Sequence, residues 1–364
     1  MAFRERSLRI GYVPLIDAAP LIVADALGLF RRHGVRVELS REQAWAAIRD
    51  KLAFGALDGA HLLGALVLAL ATGAVGPTRR LAVTAGLARN GNTVVLSPAL
   101  AACIGPFVPP LSAVAFAEAL RMRAEAGLPP PTLAVVFPFS SHNLLLRHWL
   151  AGGGLDPDRD VRLVVVPPPR VAEALAHGAI EGFCAGEPWG SHAVARGAGR
   201  FALATGDIWP DHPEKVLAWG EGLVETRTEE VLAATGAVIE AGQWLEAAGN
   251  RREAARLLQD RVFPELPRST IAAAFDGRVA GCTARLAAPL RFAAASRPCR
   301  EEAAAWLAAM RRWGHFAGND GDALDGWRTD LWERAAARLA APPPPAPRTP
   351  SPLLAPTSPQ EPDA

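Results

Sequence analysis

The sequence predicts an α/β protein of two lobes with a ligand cleft between them. Short β-rich runs alternate with helical runs of about 10–15 residues, the pattern of βαβ units and parallel sheets. The alternation starts afresh at Leu111, so a second unit follows the first, and beyond Thr226 the periodicity becomes mainly helical. Half of the 364 residues are hydrophobic and 21% are charged, which is enough apolar surface for sizeable cores and too much for a disordered chain.

Leu8–Val13 reads as a strand, and Ala18–His33 as a helix of apolar residues at helical spacing that Gly34 ends. Val35–Leu39 alternates like a strand, Glu42–Leu52 is helical, Ala56–Asp58 is a short strand and Leu62–Thr72 a helix. Leu81–Gly86 and Thr93–Leu96 read as strands. In the second unit Leu111–Ala126 is helical, Thr132–Phe137 is a strand, and Ser141–Leu150 is a helix that Ser140 or Ser141 could cap. Val161–Val166 is an apolar run of the kind buried on both faces. Arg170–His177 is helical, Gly182–Ala185 a strand and Pro188–Ala195 helical, while Phe201–Thr205 and Val216–Leu217 extend the pattern. The helices Glu229–Ala247, Arg252–Arg261, Ser269–Phe275, Glu301–Trp313 and Asp325–Leu339 follow. Residues 340–364 are rich in Pro, Ala and Ser, bury too little apolar surface to fold, and read as a disordered tail. The expected division is therefore 1–90 for the first part of lobe I and 91–205 for lobe II. Residues 206–339 form the return to lobe I with the C-terminal helices, and 340–364 form the tail.

Composition narrows the function. A net charge of +1 argues against direct nucleic-acid binding through a strongly basic surface. The four cysteines, Cys103, Cys184, Cys282 and Cys299, form no Cys-x-x-Cys pair and are too sparse for a disulfide scaffold; reduced, mostly buried thiols are expected. Two stretches free of charge, Gly59–Thr78 and Thr93–Phe116, raise the membrane question. The first is strongly apolar only over Leu62–Ala71 and the second is cut by four prolines, so no membrane span is expected. The N-terminus runs straight into the first strand, and its apolar stretch is broken by Pro14 and Asp17. It therefore lacks a secretory pattern, and a cytoplasmic chain is expected. Phosphate-loop, zinc-protease, nucleophile-elbow and dinucleotide motifs are absent. No cofactor or metal is implied.

What remains is a set of polar residues at loop and helix boundaries. Only Lys51 and Lys215 are lysines among 38 cations. A retained lysine marks a place where a compact ammonium serves better than a planar guanidinium, against the plainer alternative of a solvated side chain. Lys215 ends His212-Pro213-Glu214-Lys215, a loop before a strand, where its removal would cost little stability. His142 begins a helix, where backbone N–H groups favour anions; capping or packing is the alternative. His61 occupies what reads as a similar strand-to-helix turn, with the same alternative. In Gly182–Trp189, Gly186 would let a ligand approach the backbone, Glu187 and Pro188 open a helix, and Trp189 is the tryptophan placed nearest the cleft. Asn92, in Asn90-Gly91-Asn92, could donate an amide hydrogen bond or simply belong to a turn. Together these describe an oxyanion-binding site without a nucleophile–base pair.

The chain resembles the substrate-binding proteins of ABC-type nitrate and bicarbonate transporters, and their cytoplasmic relatives, nitrate sensors of the NasS type. The resemblance rests on Gly11-Tyr12-Val13-Pro14-Leu15, Ala44–Lys51, Leu57-Asp58-Gly59-Ala60-His61 and Asn90-Gly91-Asn92. It continues through Ser141-His142-Asn143-Leu144, Pro167-Pro168-Pro169, Gly186-Glu187-Pro188-Trp189, His212-Pro213-Glu214-Lys215 and Asp330-Leu331-Trp332. It implies a type II periplasmic-binding-protein fold that closes on its ligand, and covers about residues 8–335. By this resemblance Lys215 pairs with nitrate, His142 and Asn92 donate hydrogen bonds, and Gly186 offers backbone. His61, Leu62, Glu187 and Trp189 complete the expected pocket. An acidic residue replaces the lysine in bicarbonate binders and helps hold calcium, so Lys215 favours nitrate or nitrite. Leu62 stands where nitrate transport proteins carry tryptophan, and Asn92 where they carry glutamine. The absent export pattern favours a nitrate/nitrite sensor that holds and releases an RNA-binding antiterminator of the NasT type. The alternative is an ABC-transporter binding protein. Enzymes that make a thiamine pyrimidine precursor share the fold but carry a cysteine-rich motif that this chain lacks.

Overall fold

The structure, a computed structural model, describes residues 7–318, 320–345 and 349–354. Ten strands are formed: β1 (Leu8–Tyr12), β2 (Val37–Arg41), β3 (Gly59–Leu63), β4 (Leu81–Gly86), β5 (Asn92–Leu96), β6 (Thr132–Val135), β7 (Arg162–Val165), β8 (Gly182–Gly186), β9 (Arg200–Ala204) and β10 (Lys215–Gly220). They build two five-stranded sheets, β2-β1-β3-β10-β4 in lobe I and β7-β6-β8-β5-β9 in lobe II. Both lobes are α/β, as the alternation predicts, but both sheets are mixed where purely parallel ones were expected. β10 runs antiparallel to β3 and β4, and β5 antiparallel to β8 and β9. Each reversed strand is the first that the chain forms on arriving from the other lobe.

Several boundaries move for local reasons. Gly28, at φ +69°, breaks the expected helix over 18–33 into Ala19–Ala26 and Leu29–Arg32. The strand expected at 56–58 forms instead at β3, so His61 and Leu62 are strand residues and the helix begins only at Gly64. β7 is an edge strand with Arg162 and Val165 exposed, not a doubly buried one; its apolar run packs on one side only. The helix Ser141–Gly152 starts as expected, with Ser140 Oγ accepting from Asn143 N at 3.2 Å. The C-terminal helices Thr228–Glu246, Arg251–Arg261, Arg268–Phe275 and Arg300–Arg312 form within a residue of expectation, but the helix expected at 325–339 shortens to Thr329–Ala336.

Two further expectations change. Cys184 is the one buried thiol; Cys103 is exposed and Cys282 and Cys299 are half-buried. In the segment read as an unpacked tail, Thr349 O accepts from Trp209 Nε1 at 3.2 Å and Leu353 is 1% exposed. Averaging over a Pro-rich composition hides one apolar side chain that finds a core. Among the described residues no helix is long and apolar enough to cross a membrane.

The chain crosses between lobes at 87–91 and returns at 205–214, and the two crossings pair with each other. Leu87 N donates to Lys215 O, Glu214 N to Ala88 O and Asn90 N to His212 O, at 2.7–3.1 Å. Asn90 and Asp211 turn through positive φ, +60° and +57°, a conformation that Asn and Asp tolerate better than most residues. This paired crossing is the floor on which the polar site is built.

Candidate functional site

A cluster of polar side chains lies buried where the lobes meet. Asp17, His61 and Lys215 come from lobe I, Asn92, Ser141 and His142 from lobe II, and His212 and Glu214 from the returning crossing; none is more than 5% exposed. His61 pairs with Leu217 in register, two residues from Lys215, so strand alternation puts His61 and Lys215 on one face of the lobe I sheet.

Lys215 organises the lobe I side. Its Nζ is 2.8 Å from Asp17 Oδ2, also bonds Glu214 Oε2, and lies 5.7 Å from the centre of the Trp45 ring. His61 Nε2 donates to Asp17 Oδ1 at 2.8 Å, and its Nδ1 accepts a long bond from Val13 N. Trp45 packs against His61 with ring centres 5.2 Å apart. Lys215 is fully buried, which corrects the expectation of a loop lysine of little consequence for stability.

The lobe II side converges on the Glu214 carboxylate. Asn92 Nδ2 donates to Glu214 Oε1 at 2.6 Å, and Ser141 Oγ donates to the same oxygen. Thr205 Oγ1 lies 2.7 Å from His212 Nε2, while His212 Nδ1 donates to Pro213 O at 3.1 Å, so the neutral Nδ1–H tautomer satisfies both. Two buried polar atoms here have no protein partner: His142 Nε2 and Asn92 Oδ1. Buried polar groups are normally satisfied, so such atoms where the two lobes meet point to a ligand.

Electrostatics fix the protonation states. Burial raises the Asp17 carboxyl, but Lys215 and His61 outweigh it and hold it well below the carboxylate range. Burial likewise raises Glu214, and Lys215 with the neighbouring histidines pulls it below its usual value. Burial lowers Lys215, but Asp17 and Glu214 more than reverse this, so it stays charged. Burial, helped by the charge of Lys215, pushes His142 down to about 3, and burial also lowers His61 and His212. All three imidazoles are neutral at pH 7, and His142 can present Nε2–H to an anion.

The remaining expected residues lie around the cluster rather than in it. Gly186 is opposite Asn92 in register, and a Cβ there would meet Leu15 Cδ2 at 3.1 Å and Asn92 Oδ1 at 3.4 Å. Its bareness lets the lobe I loop close over the site. Leu62 follows His61 in β3, so its side chain leaves on the opposite face from His61; the aromatic wall beside Lys215 is Trp45 instead. Trp189 joins the lobes, its Nε1 donating to Pro14 O at 2.9 Å and its ring edge-on to Phe263. Asp17, Glu214, Ser141 and His212 were not expected as site residues, although the last three stand in motifs that carry the resemblance. Asp17 carried one signal, a lone carboxylate in an apolar run.

Glu187 is buried in lobe II, accepting from Thr93 Oγ1 at 3.1 Å and Ser191 N at 3.2 Å. Burial pushes its carboxyl up to about 7, against the pull of these bonds. Its folded pKa lies above the unfolded value of 4.5, so ionisation opposes folding: the effect is absent below pH 4.5 and complete above about 7. Glu187→Gln should therefore gain roughly 2–3 kcal/mol over the parent on going from about pH 5 to about pH 8. Urea titrations at the two pH values measure this; parallel changes in both proteins would show that Glu187 is already ionised at the lower pH.

Comparison with known proteins follows the same lines. A family model described as the NMT1-like family matches residues 2–259. The chain is 30% identical over 346 residues to the nitrate/nitrite binding protein NrtA of a Nostoc species, covering 91% of this chain and 77% of that one. It is 40% identical over 250 residues to the nitrate import ATP-binding protein NrtC of a Synechocystis species, which is 68% of this chain but only 36% of NrtC. The crystal structure of the periplasmic nitrate-binding protein NrtA from Synechocystis superposes with a TM-score of 0.84 at 30% identity, covering 92% of this chain and 89% of that one.

Proposed function

The chain belongs to the NMT1-like family, and we propose that it binds nitrate or nitrite between its lobes as the binding protein of an ABC-type importer. One observation carries the oxyanion reading: donors from both lobes, Lys215 Nζ, Asn92 Nδ2 and Ser141 Oγ, converge on a planar carboxylate, while His142 Nε2 has no partner. Nitrate is likewise planar, carries one negative charge and spreads it over its oxygens. The first turn of the helix Ser141–Gly152 adds its dipole on the lobe II side. Because the donors come from both lobes, a bound anion ties the lobes together, and closure is favoured in proportion to the difference in affinity between open and closed forms.

Lys215 places a fixed ammonium in the cluster, at the position where the resemblance gives bicarbonate binders an acidic residue that helps hold calcium. This supports nitrate or nitrite over bicarbonate.

The transport reading is supported by relatives named as nitrate-binding and nitrate-import proteins. A sensor that restrains an RNA-binding antiterminator receives no such support, and it predicts different behaviour. A sensor works in the cytoplasm and forms a nitrate-sensitive complex with its partner, whereas a transport protein acts outside and meets an importer. Cell fractionation, with and without nitrate, separates the two.

His142→Ala should weaken oxyanion binding by about 1–3 kcal/mol, the worth of one hydrogen bond to a charged group. Calorimetric titration with nitrate and nitrite measures it. Unchanged affinity would remove His142 from the site.

A further inference from the structure

The oxyanion cradle already holds an anion, the chain's own Glu214. Oε1 takes the amide of Asn92 and the hydroxyl of Ser141, and Oε2 takes the ammonium of Lys215. These are the donors assigned above to nitrate. The side chain is 0% exposed, so this is an interior placement and not a solvated rotamer.

Charge sharpens the point. Asp17 and Glu214 are both ionised against the single ammonium of Lys215, and the facing imidazoles His61, His142 and His212 are neutral. The cluster therefore carries one negative charge in excess before any ligand arrives. An oxyanion without a proton of its own would meet a cation already shared by two carboxylates. Like charges in contact away from water are strongly disfavoured.

We propose that the Glu214 carboxylate is a resident competitor for the oxyanion site, occupying the cradle in the empty protein and giving up its donors when ligand binds. This rests on the oxyanion reading of the site and adds a built-in ceiling on affinity. The competitor is tethered, so its effective concentration is high and constant. It also keeps Lys215, Asn92 and Ser141 satisfied while the cleft is empty, removing the cost of unpaired buried donors. Discharging the cradle into solvent then needs no bond to be broken without replacement.

The test compares the parent with Glu214→Gln and Glu214→Ala. Glutamine keeps the shape and removes the charge. Glu214→Gln should bind nitrate and nitrite about ten- to a hundredfold more tightly than the parent, because a neutral amide competes far less well than a tethered carboxylate for the donors that the anion must take over. Equal or weaker binding by Glu214→Gln, with clear binding by the parent, overturns the competitor while leaving the oxyanion site standing. The second arm does not depend on nitrate. Glu214→Ala leaves an empty carboxylate cradle, so formate should raise its melting temperature and leave that of the parent unchanged. Formate stabilisation without nitrate or nitrite binding in any form would keep the resident anion and overturn the assigned ligand. Absence of both effects overturns both.

Discussion

Lys215→Ala should destroy oxyanion binding and also destabilise the fold by about 3–5 kcal/mol, the usual cost of removing one partner from a buried ion pair. The reason is burial. The ammonium is the shared partner of Asp17 and Glu214, and its loss leaves two buried carboxylates with neutral donors but no cation between them. Urea denaturation measures the loss. Adding Glu214→Gln to Lys215→Ala should recover much of the stability, since only Asp17 then remains charged and His61 still donates to it, but should not recover binding. Wild-type stability in Lys215→Ala would contradict the charge balance described for the cluster.

Arg89→Met should cost a similar amount, about 3–5 kcal/mol, although Arg89 touches none of the cradle residues. Its guanidinium is 2% exposed and grips Glu302 through two bonds, Nη1 to Oε1 at 2.8 Å and Nη2 to Oε2 at 3.1 Å. Nη1 also reaches Asp211 O, on the opposite crossing. Arg89 thus fastens the outgoing crossing to the returning one and both to the helix Arg300–Arg312. Without it the floor that carries Glu214, Lys215 and Asn92 loosens, so nitrate affinity should fall along with stability. Arg89→Lys should not restore either, because one ammonium cannot reproduce the planar fork. Denaturation and titration of both variants check this; retained affinity in a destabilised Arg89→Met would show that the crossing is held without it.

The sequence is informative about this protein where a residue type is unusual or a boundary has a chemical marker. Lysine is so rare here that Lys215 stood out, and the other, Lys51, proves to be a half-exposed partner of Glu42. Ser140 and Ser141 announced the helix that presents His142, because a hydroxyl before an apolar periodic run is a cap, and of the two it is Ser140 that caps. The alternation of elements gave two α/β lobes. Strand direction was not legible, because β10 and β5 are short buried runs like the other central strands, and what reverses them is that the chain arrives from the other lobe. His61 was placed in a turn because it falls between the strand expected at 56–58 and the helix expected at 62–72. In the fold Gly59 is a strand glycine, required because a Cβ there would lie 2.4 Å from the Trp219 ring. Glu214 and Asp17 were overlooked for a different reason. A carboxylate in a loop is normally solvated, and only the tertiary arrangement shows that both share one ammonium.

The most direct measurement is calorimetric titration of the dialysed protein with nitrate, nitrite and bicarbonate, each with and without calcium. Saturable binding of nitrate or nitrite, unchanged by calcium and lost in Lys215→Ala paired with Glu214→Gln, is the outcome that the buried Lys215 cradle demands. Binding of bicarbonate alone, only with calcium, would contradict it, because Lys215 would then not be the cation that holds the oxyanion.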